Sequence, residues 1–313
     1  MKYSFVIPCY NSSESIRHVV ELTIEEMKKM NRLDFEFILV NDCSSSPKTI
    51  QVLRELAETY SSVTALNLAK NAGQHNAIMA GLNYAQGDIL IGMDDDMQTH
   101  PSQLTYLFEE LEKGYDIVYG YYPEKKHSAF RNFGSWINYM SVRILIGKPK
   151  ELKTSSYWVA RKFVRDSVIQ YQAPYAYIQG LFLRTTRNIS CIPIQHFQRE
   201  EGVSNYTFKR LVKLWSNIIG FSIIPLRLSE YCGFALSLLS IIGVIFVLVK
   251  KALNPAMALG WPSLMIAICL FSGIQLMFFG LLGEYIGRMF LGLNRQPQYV
   301  VREVIKQESE EQE

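Results

Sequence analysis

The stretch "GDILIGMDDDMQTHP", Gly87 to Pro101, sets three adjacent aspartates directly behind a run of apolar residues. The run DILIGM reads as a buried β-strand, and a charged triplet at its carboxyl end marks the rim of a sheet. Neighbouring carboxylates repel one another, so the triplet calls for a positive partner. Working outward toward the amino terminus, strand-like and helix-like segments alternate. "KYSFVIP", "FEFILVND", "VTALNLA" and, past the aspartates, "DIVYGYY" are strand-like. Between them lie "SSESIRHVVELTIEEMKKM", with Ser12 or Ser13 as its N-cap, "PKTIQVLRELAETY", with Pro47 in its first turn, "GQHNAIMAGLNYAQ" and "HPSQLTYLFEELEKG". Strands with continuous apolar runs, alternating with helices, predict an α/β fold whose mainly parallel sheet is covered on both faces. No GxGxxG follows the first strand, so the dinucleotide-binding fingerprint is absent.

Sheets of this kind bind ligands at the carboxyl ends of their strands. The residues collected there are "PCYN" (Pro8 to Asn11), "NDCSSS" (Asn41 to Ser46), "KNAGQ" (Lys70 to Gln74) and "DDDMQ" (Asp94 to Gln98). Side chains on extended backbone alternate faces, so Asp94 and Asp96 point one way, Asp95 the other, and Gln98 continues the first face. Such an oxygen-only set suits Mg²⁺ or Mn²⁺ shared with substrate phosphates. The expected positive partner is therefore a divalent cation holding a diphosphate, with a solvated acidic turn or a helix N-cap at Asp96 as the alternative.

The chain of 313 residues has a formal charge of only +3, which leaves no electrostatic footprint for nucleic acid. Its five cysteines, Cys9, Cys43, Cys191, Cys232 and Cys269, form no CxxC pair and read as reduced thiols of a cytosol-facing protein. The first apolar run reaches Pro8 too soon for a signal-peptide core, and a first β-strand is expected instead. Tyr231 to Val249 and Trp261 to Gly283 are uncharged runs of 19 and 23 residues, close to the roughly 20 that cross a bilayer core. Lys209, Arg210, Lys213 and Arg227 precede the first run; Arg288, Arg295, Arg302 and Lys306 follow the second. The connector carries only Lys250 and Lys251, so positive-inside bias predicts a membrane hairpin with both ends in the cytoplasm. The charged end "KQESEEQE" reads as a frayed tail.

Four blocks carry a resemblance: "FVIPCYNSSESI", "FEFILVNDCSSS", "LAKNAGQHNAIMAGLNYAQGDILIGMDDDMQTHP", and "REEGVSNYTFKRLVKL" with "PLRL" further on. In order and spacing they resemble the family-2 glycosyltransferases that load a sugar onto a polyprenyl phosphate. That group includes dolichol-phosphate mannose synthase, bactoprenol glucosyltransferase and undecaprenyl-phosphate aminoarabinose-type transferases. The resemblance implies a GT-A nucleotide-sugar-binding domain and inverting transfer from a UDP-sugar to undecaprenyl phosphate, for cell-envelope glycan modification. It places the enzyme, multi-pass, in a bacterial inner membrane with its catalytic domain in the cytoplasm, and implies a homo-oligomer. Pro8, Tyr10, Asn11, Asp42, Lys70, Asn71, Asp94 and Asp95 would bind the nucleotide-sugar, and Asp94, Asp96 and Gln98 the metal. Asp96, Arg199 and Arg131 would be catalytic; Arg131, Ser204, Tyr206 and Lys209 would meet the lipid phosphate. A guanidinium suits phosphate because its donors form a rigid fork.

The implied organisation is a catalytic domain over 1–205, an interfacial amphipathic region over 206–228, the two spans within 229–287, and a cytoplasmic tail over 288–313. "FRNFGSWINYMSVRILIG", residues 130–147, reads as a further interfacial helix, with packing on the domain itself as the alternative. The chain departs from its relatives in four places. Thr154, Ser155 and Ser156 stand where many carry an acid, Lys125 or Lys126 where arginine is usual, Asp95 where a small residue is common, and Asn205 where lysine is. Two other readings stand beside the first: a membrane glycosyltransferase acting on another glycolipid or a polysaccharide, and a non-catalytic nucleotide-sugar-binding subunit.

Overall fold

The computed structural model describes residues 1–123, 143, 147–195, 224–253 and 260–307. All five expected strands form: β1 (Tyr3–Cys9), β2 (Phe35–Asn41), β3 (Val63–Leu68), β4 (Ile89–Gly92) and β5 (Ile117–Tyr121). The expected helices join them as α1 (Ile16–Lys29), α2 (Pro47–Thr59), α3 (Gln74–Tyr84) and α4 (Leu104–Glu112), the last entered through a 3₁₀ turn at Pro101–Gln103. Three strands lie beyond them: β6 (Trp158–Arg161), β7 (Ile189–Pro193) and β8 (Val301–Ile305), with α5 (Lys162–Val168) and α6 (Ile178–Thr185) between the first two. Together they make one eight-stranded sheet in the order β7-β5-β6-β4-β1-β2-β3-β8. β1 pairs parallel with β2 and β4, and β2 with β3, while β6 runs antiparallel between β4 and β5.

The sheet is buried on both sides, as its uninterrupted apolar strands require. Phe5, Ile7, Phe37 and Leu39 face α1, α2 and α4, whose Val19, Leu53 and Leu107 join the same cluster. The alternate residues Val6, Ile38 and Val40 face α3, α5 and α6 through Met79, Val164 and Phe182. Each such side chain contributes about 1.5–3 kcal/mol by leaving water.

Two expectations are corrected. α1 begins at Ile16 with Ser15, not Ser12 or Ser13, at its N-cap, and no side chain caps it. The Ser15 hydroxyl donates instead to the carbonyl of Asp95, so a potential cap is spent on the aspartate loop. The carboxy-terminal segment is also more than a tail. Val301–Ile305 adds to the sheet as β8, antiparallel to β3, with Leu66 opposite Val304 and Ala65 opposite Ile305. Arg54 of α2 fixes it by a two-point contact to Glu303 at 3.0 and 3.1 Å.

The two apolar runs lie on α7 (Ile224–Leu253) and α8 (Trp261–Leu293), helices of 30 and 33 residues that are long and apolar enough to cross a membrane. Phe234, Ile241, Phe246, Leu264, Phe271 and Phe279 stand more than two-fifths exposed on them. The far end of α8 meets the sheet domain. Arg288 lies 4.7 Å from the centre of the Tyr175 ring, and Gln298 donates to the carbonyls of Tyr171 and Ala173.

Candidate functional site

The carboxyl ends of β1, β2, β3 and β4 come together at one rim, and short polar side chains stitch their loops to each other. Asn11, at φ 59°, donates its backbone N–H to the Ser44 hydroxyl, and its amide oxygen accepts from Ser45 and Ser46. Asparagine tolerates this left-handed conformation better than most residues. Asn41 donates to Asn67 at 2.9 Å and accepts from Ser44, joining β2 to β3. Asp42 is buried, and its two carboxylate oxygens accept the backbone N–H groups of Ala72 and Gly73 at 2.6 and 2.9 Å. Gly73 sits at φ +85°, a conformation that disfavours any side chain. Asp42 thus braces the loop that carries Lys70 and Asn71, both of which are exposed at the rim.

β4 ends at Gly92, so the aspartates lie in a bend beyond the strand and not on extended backbone. Met97 turns that bend at φ 62°. Hydrogen bonds aim Asp95 and Asp94 at different neighbours. Asp95 accepts the N–H of Tyr10 at 3.1 Å, which aims it toward the β1 loop. Asp94 accepts from Gln74 of α3 at 3.0 Å through one oxygen and from the Ser156 hydroxyl through the other. The backbone of Asp94 is held by Thr99, whose hydroxyl accepts its N–H at 2.9 Å and donates to its carbonyl. Asp96 accepts the N–H of Gln98 at 3.2 Å within its own turn.

Ser156 reaches Asp94 because of strand register. Gly92 lies opposite Trp158 at the end of the antiparallel β4–β6 pair, and Asp94 and Ser156 each stand two residues beyond that pair. Gly92 is required there: a Cβ at this position would stand 2.2 Å from Cε2 of Trp158.

The charges of Asp94 and Asp96 both reach Tyr122. The Tyr122 hydroxyl, which donates to the Gln98 carbonyl, is made hard to ionise first by burial and then by the charges of both Asp94 and Asp96. Burial also raises the pKa of Asp95 from its ordinary value, and the charge of Asp96 adds to this. His75, on the first turn of α3, is driven by burial down to about 4 and packs edge-on against Tyr177, so it is neutral at physiological pH. Among the described residues no three His, Cys, Asp or Glu side chains cluster as a closed metal cage. One or two carboxylates completed by substrate oxygens are nevertheless the usual way Mg²⁺ and Mn²⁺ are held.

Of the residues singled out in the sequence, Pro8, Tyr10, Asn11, Asp42, Lys70, Asn71, Asp94, Asp95, Asp96 and Gln98 all fall at this rim. Tyr10 is 52% exposed there. Arg131, Arg199, Ser204, Tyr206 and Lys209 lie outside the described residues, as do Lys125, Lys126, Asn205, nearly all of the expected 130–147 helix and residues 206–223 of the amphipathic region. Gln74, expected at the rim within KNAGQ but given no role, holds the aspartate bend together with Thr99, Tyr122 and Ser156, which were not foreseen as site residues. The Thr-Ser-Ser departure at 154–156 was the one visible trace of Ser156.

The sequence profile of the family described as Glycosyl transferase family 2 matches residues 4–171. An undecaprenyl-phosphate 4-deoxy-4-formamido-L-arabinose transferase of Edwardsiella ictaluri is 32% identical, over 99% of this chain and 97% of its own length. The protein of that name in Klebsiella pneumoniae (strain 342) is 31% identical, over 98% of this chain and 94% of its own. Among solved structures, the glucosyl-3-phosphoglycerate synthase of Mycobacterium tuberculosis superposes with a TM-score of 0.50 at 16% identity, covering 70% of this chain and 78% of that one. A crystal structure of the same synthase with Mn²⁺, uridine diphosphate and phosphoglyceric acid also gives 0.50, at 16% identity over 70% of this chain and 76% of that one. At that identity the likeness carries the fold alone, and it is a GT-A fold. A profile match over more than half the chain, with relatives similar from end to end, makes this protein a glycosyltransferase of family 2.

Proposed function

We propose that this glycosyltransferase moves a sugar from a UDP-sugar to undecaprenyl phosphate, with inversion, at the cytoplasmic face of the membrane. The observation that carries the reading is the aspartate bend at the carboxyl rim, where Gln74 and Ser156 hold Asp94, Tyr10 draws Asp95 toward the β1 loop, and Asp96 follows in the same turn. The names of the full-length relatives support undecaprenyl phosphate as acceptor. The Mn²⁺ and uridine diphosphate named for the solved synthase support a metal-assisted UDP donor.

In this reading the exposed Tyr10 ring packs on the base, and Lys70 and Asn71 approach the nucleotide from the loop that Asp42 braces. Asp94 and Asp96 would hold Mg²⁺ or Mn²⁺, which would offset the charge that grows on the leaving diphosphate. A phosphate oxygen of the lipid attacks the anomeric carbon as the bond to the nucleoside diphosphate breaks. A phosphate monoester, with a second pKa near 6, is already ionised enough to attack without a strong base. Arg131 and Arg199 are the proposed phosphate contacts, and Ser204, Tyr206 and Lys209 complete the lipid-phosphate set.

α7 and α8 form the proposed membrane hairpin. At about 1.5 Å per residue each exceeds the roughly 30 Å hydrocarbon core. The Arg288–Tyr175 contact and strand β8 hold the carboxyl end of α8 beside the catalytic domain. The excess length of α8 therefore stands on the cytoplasmic side.

The test is a transfer assay with the full chain in nanodiscs, undecaprenyl phosphate, Mg²⁺ or Mn²⁺, and a panel of UDP-sugars that includes 4-deoxy-4-formamido-L-arabinose. A lipid-linked sugar formed only with metal, and lost in Asp96→Ala, is expected. Hydrolysis of a donor with transfer to no lipid phosphate would overturn the acceptor.

A further inference from the structure

We infer that Ser156 is a positioning residue for the metal: its hydroxyl fixes the plane of the Asp94 carboxylate so that this group meets the cation ready-oriented. The inference rests on the proposed metal role of Asp94 and Asp96 and goes beyond it, because Ser156 belongs to a different part of the chain and is not itself a ligand.

Four contacts from three separate segments converge on Asp94. Gln74 at the start of α3 takes one carboxylate oxygen, Ser156 ahead of β6 takes the other, and Thr99 clamps the backbone N–H and carbonyl. Asp96 accepts from the N–H of Gln98 within its own turn. A carboxylate bonded through both oxygens to groups on different elements has its plane, and with it the remaining lone pairs, aimed before any ligand arrives, which is how supporting residues raise the affinity of a metal ligand. The two donors are unequal. Gln74 is exposed and reaches through a long flexible side chain. Ser156 has a single side-chain torsion before its hydroxyl, and its backbone is set by the Gly92–Trp158 register and by Ser155, which donates to the Gly120 carbonyl at 2.6 Å. The firmer grip is therefore the serine. It is also neutral, so it orients Asp94 without cancelling the charge the cation needs.

The experiment measures Mn²⁺ binding to the full chain in nanodiscs by electron paramagnetic resonance, with and without UDP, for wild type, Ser156→Ala, Ser156→Thr and Asp96→Ala. Thermal melting checks that each variant is folded. Losing one charge-assisted hydrogen bond corresponds to roughly a tenfold change. The Mn²⁺ Kd is expected to rise about tenfold in Ser156→Ala and to return to within about threefold of wild type in Ser156→Thr. Metal-free UDP binding should stay unchanged in both. Wild-type Mn²⁺ affinity in a folded Ser156→Ala, with binding lost in Asp96→Ala, would overturn this inference alone. Absence of Mn²⁺ binding in wild type, or its persistence in Asp96→Ala, would overturn the Asp94–Asp96 reading and this inference with it. A loss in Ser156→Ala that Ser156→Thr does not restore would show a general loosening of the loop and also overturn it.

Discussion

Gly92→Ala puts the coupling between strand register and the aspartate bend to a direct test. The new Cβ would lie 2.2, 2.4 and 2.5 Å from Cε2, Cζ2 and Nε1 of Trp158, whereas carbon atoms rest at about 3.5–4.0 Å. The indole would have to retreat by more than about 1 Å. It has nowhere to go, being 1% exposed and packed edge-on against Phe182 at 4.8 Å. Overpacking of this kind costs about 1–3 kcal/mol, and a rigid ring in a closed site belongs at the upper end. Near 3 kcal/mol corresponds to a fall of about 6–12 °C in Tm for a domain of this size. Because the Gly92–Trp158 pair sits two residues from Asp94 and Ser156, transferase activity should fall further than the loss of folded protein explains. Thermal melting and specific activity of Gly92→Ala, Trp158→Phe and the double variant provide the measurement. The smaller ring should recover at least 1 kcal/mol in the double variant, as coupled neighbours do. A Gly92→Ala protein melting within about 1 °C of wild type, or a strictly additive pair, would refute the reasoning.

Asp42→Ala leaves two loop N–H groups without their acceptor; it should cost about 2–4 kcal/mol in denaturant unfolding and weaken UDP-sugar binding measured by calorimetry. His75 gives a pH signature. Its folded pKa of about 4 lies below the ordinary 6.5, so as pH falls from 6.5 toward 4 the unfolded chain takes up a proton that the folded one refuses. Stability present above pH 6.5 should drop by about 3 kcal/mol across that window, and His75→Gln should flatten that part of the pH–stability curve. Glu303→Gln, by contrast, breaks an ion pair whose partners are 45% and 39% exposed, and should change unfolding free energy by less than about 1 kcal/mol.

The amino-terminal two-fifths of the chain was legible because its signals are local. Apolar strands such as FILV and ILIG, helices with a period near 3.6, and Pro47 at a helix start each declare themselves within ten residues. The rim residues were legible because topology alone sends strand ends to one edge. β6 and β7 were not, since WVAR and ISCIP are short and gain their strand identity from partners far along the chain. β8 carried a real signal: VREVI alternates between half-buried and exposed positions. It was hidden by standing after a long apolar pair, where a tail was the simpler reading. The roles of Ser15 and Ser156 depend on register and on a loop crossing. A lone serine announces neither.

The position of β8 has a consequence for how the protein is made. The edge of β3 is covered by residues that leave the ribosome only after both long apolar helices have been synthesised. Until then β3 offers a row of unpaired N–H and C=O groups, the sort of edge that recruits other chains. The last strand thus acts as a closing stitch: the sheet cannot be completed before the helices have emerged and found their surroundings. A chain cut short anywhere between α8 and residue 301 would keep every residue of the carboxyl rim and still leave that edge open. In this molecule the order of synthesis, and not the contents of the site, decides when the enzyme is finished.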